Sequence, residues 1–180
     1  IKPDIITIAK GVTSGYIQLG GVMVSDKIIN SFNNKFLPLG LTYSAHSVAC
    51  AAAVSVLDIY ENEKIMENVN KIGSYTDKKV EELMNKHPSI GDWRNTGMLG
   101  CIELVKNKKN KDPLAPFNAN PKQMEDMNKV IRKLRDEGMF TYTKWNYVFI
   151  APPLTSSEED IDEGIDIISK ALKVADEFCY

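Results

Sequence analysis

The feature that most constrains the fold is a short β-branched run that ends on a lysine. Ile5–Ala9 reads Ile, Ile, Thr, Ile, Ala, without the regular alternation of a half-exposed strand. Such a run is typical of a strand covered on both faces. Lys10 follows at once, and several glycines between positions 11 and 21 allow the backbone to turn sharply. We therefore expect an α/β sheet in which Lys10 lies at an enclosed strand end.

A lysine in that position is a candidate nucleophile. Burial disfavours the ammonium form, and the free amine is the species that attacks an aldehyde. The alternative is a solvated surface charge, which is what most lysines are. Because the preceding strand predicts an enclosed environment, we interpret Lys10 as a Schiff-base lysine.

A second candidate site follows at residues 40–46, where a polar turn leads into a helix rich in small residues. Ser44 is a predicted N-cap of that helix. Backbone N–H groups at a helix start, together with the hydroxyls of Thr42 and Ser44, could bind a phosphate. The alternative is that Thr42 and Ser44 only cap a core helix.

Composition narrows the class of protein. The chain has 180 residues, 43% of them hydrophobic, and a formal net charge of -2, which gives no electrostatic basis for nucleic-acid binding. Apolar runs are short and no N-terminal signal segment is visible, so we expect a cytoplasmic protein without membrane association. The three cysteines are too scattered for a disulfide framework or a metal site, and Cys50 is predicted to be a small buried packing residue.

The order of predicted elements suggests two parts, residues 1–64 and residues 65–180. The first part reads as pieces of a larger α/β sheet. The second opens with a long helix over 65–86, since apolar residues recur there at helical spacing, and continues with strands and helices typical of a small α+β domain. A lysine-rich segment at 106–112 is predicted to be a solvated loop. The acidic residues after Ser157 are predicted to form the first turn of the last helix.

Four motifs in order carry a resemblance to a known family. The segment 3–11, continued by 19–25, resembles the lysine segment of the class III (omega-type) pyridoxal-phosphate aminotransferases. Residues 40–46 resemble the family's Gly-x-Thr-Tyr-Ser-x-His pattern, with Ser47 where a proline is common. Residues 94–104 resemble its glycine-rich strand ending in Ile-Glu-Leu, and residues 151–155 its Ala-Pro-Pro-Leu turn.

The resemblance implies a fold, a cofactor and an assembly. The fold would be part of the large domain of PLP fold type I, over 1–64, followed by the small domain over 65–180. The cofactor would be pyridoxal 5'-phosphate, bound covalently to Lys10, with Ser44 and Thr42 near its phosphate. Thr42 would reach the site of a second subunit, so a homodimer is expected. The implied reaction moves an amino group from a small-molecule amine to an oxo-acid.

The substrate is less constrained. Ornithine-type members of the family carry an arginine where this chain has Phe149, and beta-alanine/pyruvate-type members place theirs where we align Tyr142. The stretch around Lys144 and Trp145 resembles the taurine–pyruvate branch, which implies pyruvate as acceptor. Lys144 is then a candidate anchor for an acidic group, with a surface lysine as the alternative.

Subunits of this family are much longer and keep further cofactor-binding parts upstream of the lysine segment. We therefore expect this chain to be a C-terminal fragment that is inactive by itself. Another fold-type-I PLP enzyme (a decarboxylase, racemase or aminomutase) would share Lys10 and Thr42. A non-catalytic dimerisation module is the other alternative.

Overall fold

The computed structural model describes all residues from 1 to 180. The chain divides into two compact units, Ile1–Lys64 and Ile65–Tyr180.

The first unit is built around a two-stranded antiparallel sheet and one long helix. Its elements in chain order are β1 (Ile5–Ala9), a 3-10 helix (Lys10–Thr13), β2 (Gly20–Val24), α1 (Asp26–Ile29), a second 3-10 helix (Asn30–Phe32) and α2 (Ser47–Asn62). Ile5 pairs with Val24 and Ala9 with Gly20, so the turn between the strands lies next to Lys10.

Strand β1 is not enclosed, which corrects the sequence-based expectation. All five of its residues are exposed, and so is Lys10. The reason is that β1 pairs with β2 alone and has no second strand beside it. The environment of Lys10 in this chain is therefore set by the turn that follows the strand.

Helix α2 packs against the first 3-10 helix through its small residues. Ala49, Ala53 and Val56 are its buried positions, and alanines allow the two backbones to approach closely. Cys50 lies beside this stripe and is exposed, so its prediction as a buried packing residue is wrong. Helical periodicity explains the difference, because Cys50 is one position away from the buried stripe.

The second unit is an antiparallel sheet covered by three helices. Its elements are α3 (Ile65–Lys86), β3 (Ile90–Thr96), β4 (Leu99–Asn107), β5 (Asp112–Pro113), α4 (Glu125–Asp136), β6 (Thr143–Lys144), β7 (Tyr147–Ile150) and α5 (Glu158–Asp176). The strand order is β3-β4-β7-β6, and β5 pairs with the end of β4. The predicted α+β architecture of this part is confirmed.

The core lies between this sheet and the helices, and alternation along β4 shows why. Ile102 and Leu104 are fully buried, whereas Cys101 and Glu103 on the other face are partly exposed. Helix α3 contributes Ile72 to this core. Ile72 and the other buried apolar residues of α3 form a stripe along one face of the helix. Its bounds are those that the apolar spacing predicted.

Helix α5 is fastened at both ends. Ser157 Oγ accepts from the Asp160 N–H, and the Asp160 carboxylate accepts from the Ser157 N–H, so the predicted first-turn chemistry is confirmed. At the other end, Asp176 lies 2.7 Å from His87 Nδ1 and accepts from the N–H and hydroxyl of Ser89. His87 and Ser89 are both buried. A carboxylate that satisfies buried donors ties the end of α3 and the start of β3 to α5.

The lysine-rich segment is not simply a solvated loop. Lys106 belongs to β4 and pairs with Asp126 at 3.0 Å, with both side chains mostly buried. Lys108 Nζ donates to the carbonyl of Met84, and Lys111 Nζ donates to that of Gly91. These lysines connect the β4–β5 hairpin to neighbouring elements, which composition alone could not reveal.

An ion cluster between α4 and α5 makes stability pH-dependent. Glu137 accepts from Lys133 at 2.6 Å and Lys170 at 2.8 Å, which lowers the pKa of Glu137 to about 2. A carboxyl with a lowered pKa stabilises the fold above its unfolded value of 4.5, and this contribution is lost as the pH falls towards about 2. We expect Glu137→Gln to lower the urea midpoint at neutral pH and the loss to shrink as the pH falls through this range. Glu163→Gln, at an exposed position on α5, is the matched control.

Candidate functional site

The turn after β1 places Lys10 in an unusual backbone conformation. Lys10 has φ +56° and Ser14 has φ +48°, both in the left-handed region that non-glycine residues rarely adopt. Each such residue costs on the order of 1 kcal/mol or more, and they concentrate at functional sites. Gly15, at φ +78°, completes the turn. The backbone therefore fixes Lys10 in a conformation that few non-glycine residues adopt.

Lys10 and the second motif line one pocket of about 600 Å³. One wall comes from the strand end and turn, with Lys10, Gly15 and Gly20. The other comes from the segment before α2, with Tyr43 and Ser44. Two segments that sequence analysis singled out separately thus meet in the fold of the first unit.

Ser44 does not cap α2, which corrects the sequence-based expectation. The N-cap is His46, whose Nδ1 accepts from the Ala49 N–H at 3.4 Å. The Ser44 hydroxyl instead accepts from the Leu41 N–H at 3.1 Å and so closes a tight turn. The turn delays the start of the helix, and Ala45, at φ +53°, makes the final bend.

Thr42 lies in the same turn but is not part of the pocket lining. Its side chain is exposed. Of these two hydroxyl residues, Ser44 is the one that lines the pocket with Lys10.

The pocket fits an aldehyde cofactor that carries a phosphate. A primary amine stands on its wall, which is the group that bonds to an aldehyde. The Ser44 hydroxyl can donate to a phosphate oxygen, because its recorded hydrogen bond uses it as an acceptor. A Cβ added at Gly15 would meet no atom within 4 Å, so the backbone there is open to a flat ring.

The residues singled out for substrate recognition cluster in the second unit, around the β6–β7 hairpin. Lys144 Nζ lies 4.5 Å from the centroid of the Trp145 ring. Trp145 itself has φ +51°, and its ring packs at a tilt against the Phe117 ring, with 4.3 Å between the centroids. Tyr142 is exposed and contacts the Phe149 ring. A bulky residue in the left-handed region needs support from its surroundings, and the aromatic contacts supply it.

Sequence analysis missed Thr13. This side chain is 1% exposed, and its hydroxyl donates to the Ile17 carbonyl at 2.6 Å, across the turn that carries Lys10. The signal was present, since threonine hydroxyls often bond to nearby backbone in turns. The burial of Thr13, however, depends on packing against α2, which the local sequence does not show.

The family follows from a comparison with known families. The sequence model of the class III aminotransferase family matches residues 1–172 of this chain. This chain belongs to the class III aminotransferase family.

Individual relatives agree with the assignment. The chain is 37% identical to gamma aminobutyrate transaminase 2 of Solanum lycopersicum over 178 residues, which are 96% of this chain and 37% of that protein. It is 36% identical to the putrescine–pyruvate aminotransferase of Pseudomonas aeruginosa over 173 residues, 94% of this chain and 36% of that protein. The chain thus spans little more than a third of the length of these class III relatives.

A solved aminotransferase structure also superposes well. It is the taurine:2-oxoglutarate aminotransferase of Bifidobacterium kashiwanohense, in complex with PLP and glutamate. The TM-score is 0.88 at 35% identity, covering 98% of this chain and 39% of that one. The predicted fold class, a segment of PLP fold type I followed by a small α+β unit, is confirmed. No helix combines the length and hydropathy that a membrane span requires.

Proposed function

We propose that the complete gene product containing this chain is a PLP-dependent aminotransferase that moves an amino group from an omega-amine or amino-acid donor to an oxo-acid. The observation that carries the proposal is the pocket shared by Lys10 and Ser44 in a chain of the class III family. Pyridoxal phosphate is the cofactor that this membership supports, and the residues of the pocket suit it.

Lys10 would hold the cofactor and move the proton. When bound, pyridoxal phosphate supplies an electron sink for negative charge that develops at the substrate carbon. Lys10 would hold the cofactor through its amine, and once that amine is free it would take up the proton released at the substrate carbon. The left-handed backbone at Lys10 limits where its amine can reach.

Ser44 and Thr42 would contribute hydroxyls to phosphate binding. Ser44 faces the pocket of its own chain. Thr42 is exposed and is not among the residues that line that pocket. This difference supports the proposal that Thr42 serves the site of a second subunit, and therefore that the complete protein is a homodimer.

We further propose pyruvate as the acceptor and an acidic omega-amine as the donor, with Lys144 contacting the acid group. Lys144 is exposed and stands over the Trp145 ring, which restricts its amine to one side of the hairpin. No arginine occupies position 142 or 149. Lys144 is thus the cation that this hairpin offers to a carboxylate or sulfonate.

Lys144→Ala tests the substrate assignment. We expect the KM for an acidic donor such as taurine or beta-alanine to rise about tenfold, because one charge-assisted contact is lost. The KM for an uncharged amine such as 1-phenylethylamine should stay within about twofold, since that donor has no acid group to bind. Lys173→Ala, at an exposed position on α5, is the control for loss of a surface charge. An equal rise for both donors would contradict the role of Lys144.

The overall reaction is tested by assaying the complete protein with PLP, an amine donor and pyruvate, and quantifying alanine. Release of carbon dioxide without alanine would instead indicate a decarboxylase, and racemised or rearranged donor would indicate a racemase or an aminomutase. Binding of neither cofactor nor substrate would favour a dimerisation module. The 180-residue chain assayed in parallel should show no turnover, since we propose that further parts of the site lie elsewhere in the complete protein.

A further inference from the structure

We infer that Thr13 is a positioning residue for Lys10, an inference that rests on the proposed function. Its hydroxyl can donate one hydrogen bond, and the Ile17 carbonyl accepts it at 2.6 Å. The Lys10 carbonyl lies 3.5 Å from the same oxygen, which is a long contact. The buried Thr13 hydroxyl therefore lies between Lys10, at the start of the turn, and Ile17, at its far end.

The burial of Thr13 is exceptional in its surroundings. It is 1% exposed, while Lys10, Gly11, Ser14 and Gly15 are all exposed. The 3-10 helix that contains Thr13 packs against α2, and Thr13 is its buried residue. Thr13 is thus the point at which the turn is fixed to the body of the first unit.

Thr13 is connected to both walls of the pocket. Ile17, the acceptor of the Thr13 hydroxyl, is itself part of the pocket lining. Helix α2, against which the turn packs, is preceded directly by the segment that carries Ser44. Movement at Thr13 would therefore change the distance between the Lys10 amine and the opposite wall.

A hydroxyl at position 13 is suited to holding this turn, because it can donate a hydrogen bond. Lys10, Ser14 and Gly15 all have positive φ, and they could relax to other conformations if the turn were free. A short hydrogen bond in a buried position prevents this, because breaking it leaves the Ile17 carbonyl without its partner. Valine has nearly the shape of threonine but cannot donate, so it isolates the contribution of the hydroxyl.

The test uses the complete protein and two readouts. In the first, borohydride is added with limiting PLP, and peptide mapping measures the fraction of Lys10 that is labelled. We expect Thr13→Val to reduce the labelling rate about fivefold or more, whereas Thr13→Ser stays close to wild type. In the second, kcat should fall about tenfold in Thr13→Val while the donor KM stays within about twofold, because alignment of the amine is lost and not donor binding.

Thr7→Val is the matched control, since Thr7 is exposed on β1 and receives the same substitution. If Thr13→Val yields no soluble protein, Thr13→Ala and Thr13→Ser make the same comparison, because they differ by the hydroxyl alone. Normal labelling and kcat in the variants that lack the hydroxyl would overturn the positioning role. Absence of label on Lys10 in the wild type would instead refute the proposed function, so the two failures are distinguishable.

Discussion

Lys10→Ala is expected to abolish transamination in the complete protein, with kcat falling at least about a thousandfold, because the covalent anchor and the proton carrier are the same amine. Pyridoxal phosphate should still bind, but more weakly and without a covalent link. The measurement is single-turnover formation of alanine from pyruvate, together with the absorbance of the bound cofactor.

The control for this substitution is Lys35→Ala, which removes an exposed lysine from the same unit. It should leave both readouts unchanged. Partial rescue of Lys10→Ala by added methylamine is also expected, since a small amine can supply part of the missing proton transfer. Retention of substantial turnover by Lys10→Ala would mean that another group performs the chemistry.

Gly73→Ala is expected to destabilise the second unit markedly. A Cβ at Gly73 would lie 2.6 Å from the carbonyl oxygen of Gly97 and 2.7 Å from its carbonyl carbon. These are backbone atoms of the β3–β4 turn, so no side chain can rotate away. Gly97 cannot readily shift either, because it has φ +56° and is itself packed against Val69.

Two opposing contributions decide whether Gly73→Ala raises or lowers the free energy of unfolding. Alanine favours a helix over glycine by about 1 kcal/mol, but forcing α3 away from the turn costs about 1 to 3 kcal/mol or more. Because the clash is with backbone atoms, we take the upper end of that range and expect a net loss of about 2 kcal/mol in the free energy of unfolding. Urea unfolding followed by the fluorescence of Trp93 and Trp145 reports on this unit, since both tryptophans belong to it.

Ser74→Ala is the control for Gly73→Ala, because Ser74 is the exposed neighbour on the same helix. It should change the urea midpoint little. An unchanged or raised midpoint in Gly73→Ala would show that α3 and the β3–β4 turn are not held at the distance described.

Periodic features of the sequence predicted the fold of the second unit well. The apolar spacing over 65–86 predicted the bounds of α3. Ser157 and the acidic residues that follow it predicted the start of α5. Both signals are local, since a helix face and a capping box depend on residues within one or two turns. The Lys106–Asp126 pair is not local, so it could not be predicted in the same way.

The candidate site was predictable in its residues but not in its surroundings. Lys10 and Ser44 were singled out separately, and the structure places them on one pocket. The environment of β1 was predicted wrongly, because a β-branched run indicates a preference for burial but cannot say what covers it. His46 was missed as the cap of α2, since histidine is not among the residues that usually serve there. Thr13 was missed because its importance arises from burial against α2.

The most direct test of the proposed role of Lys10 is borohydride reduction of the purified complete protein with PLP, followed by peptide mass mapping. We predict that the reduced cofactor will be found on the peptide that contains Lys10, with Lys2, Lys27 and Lys35 unlabelled. Label spread over several lysines, or none on Lys10, would contradict the assignment of this residue as the covalent anchor of the cofactor.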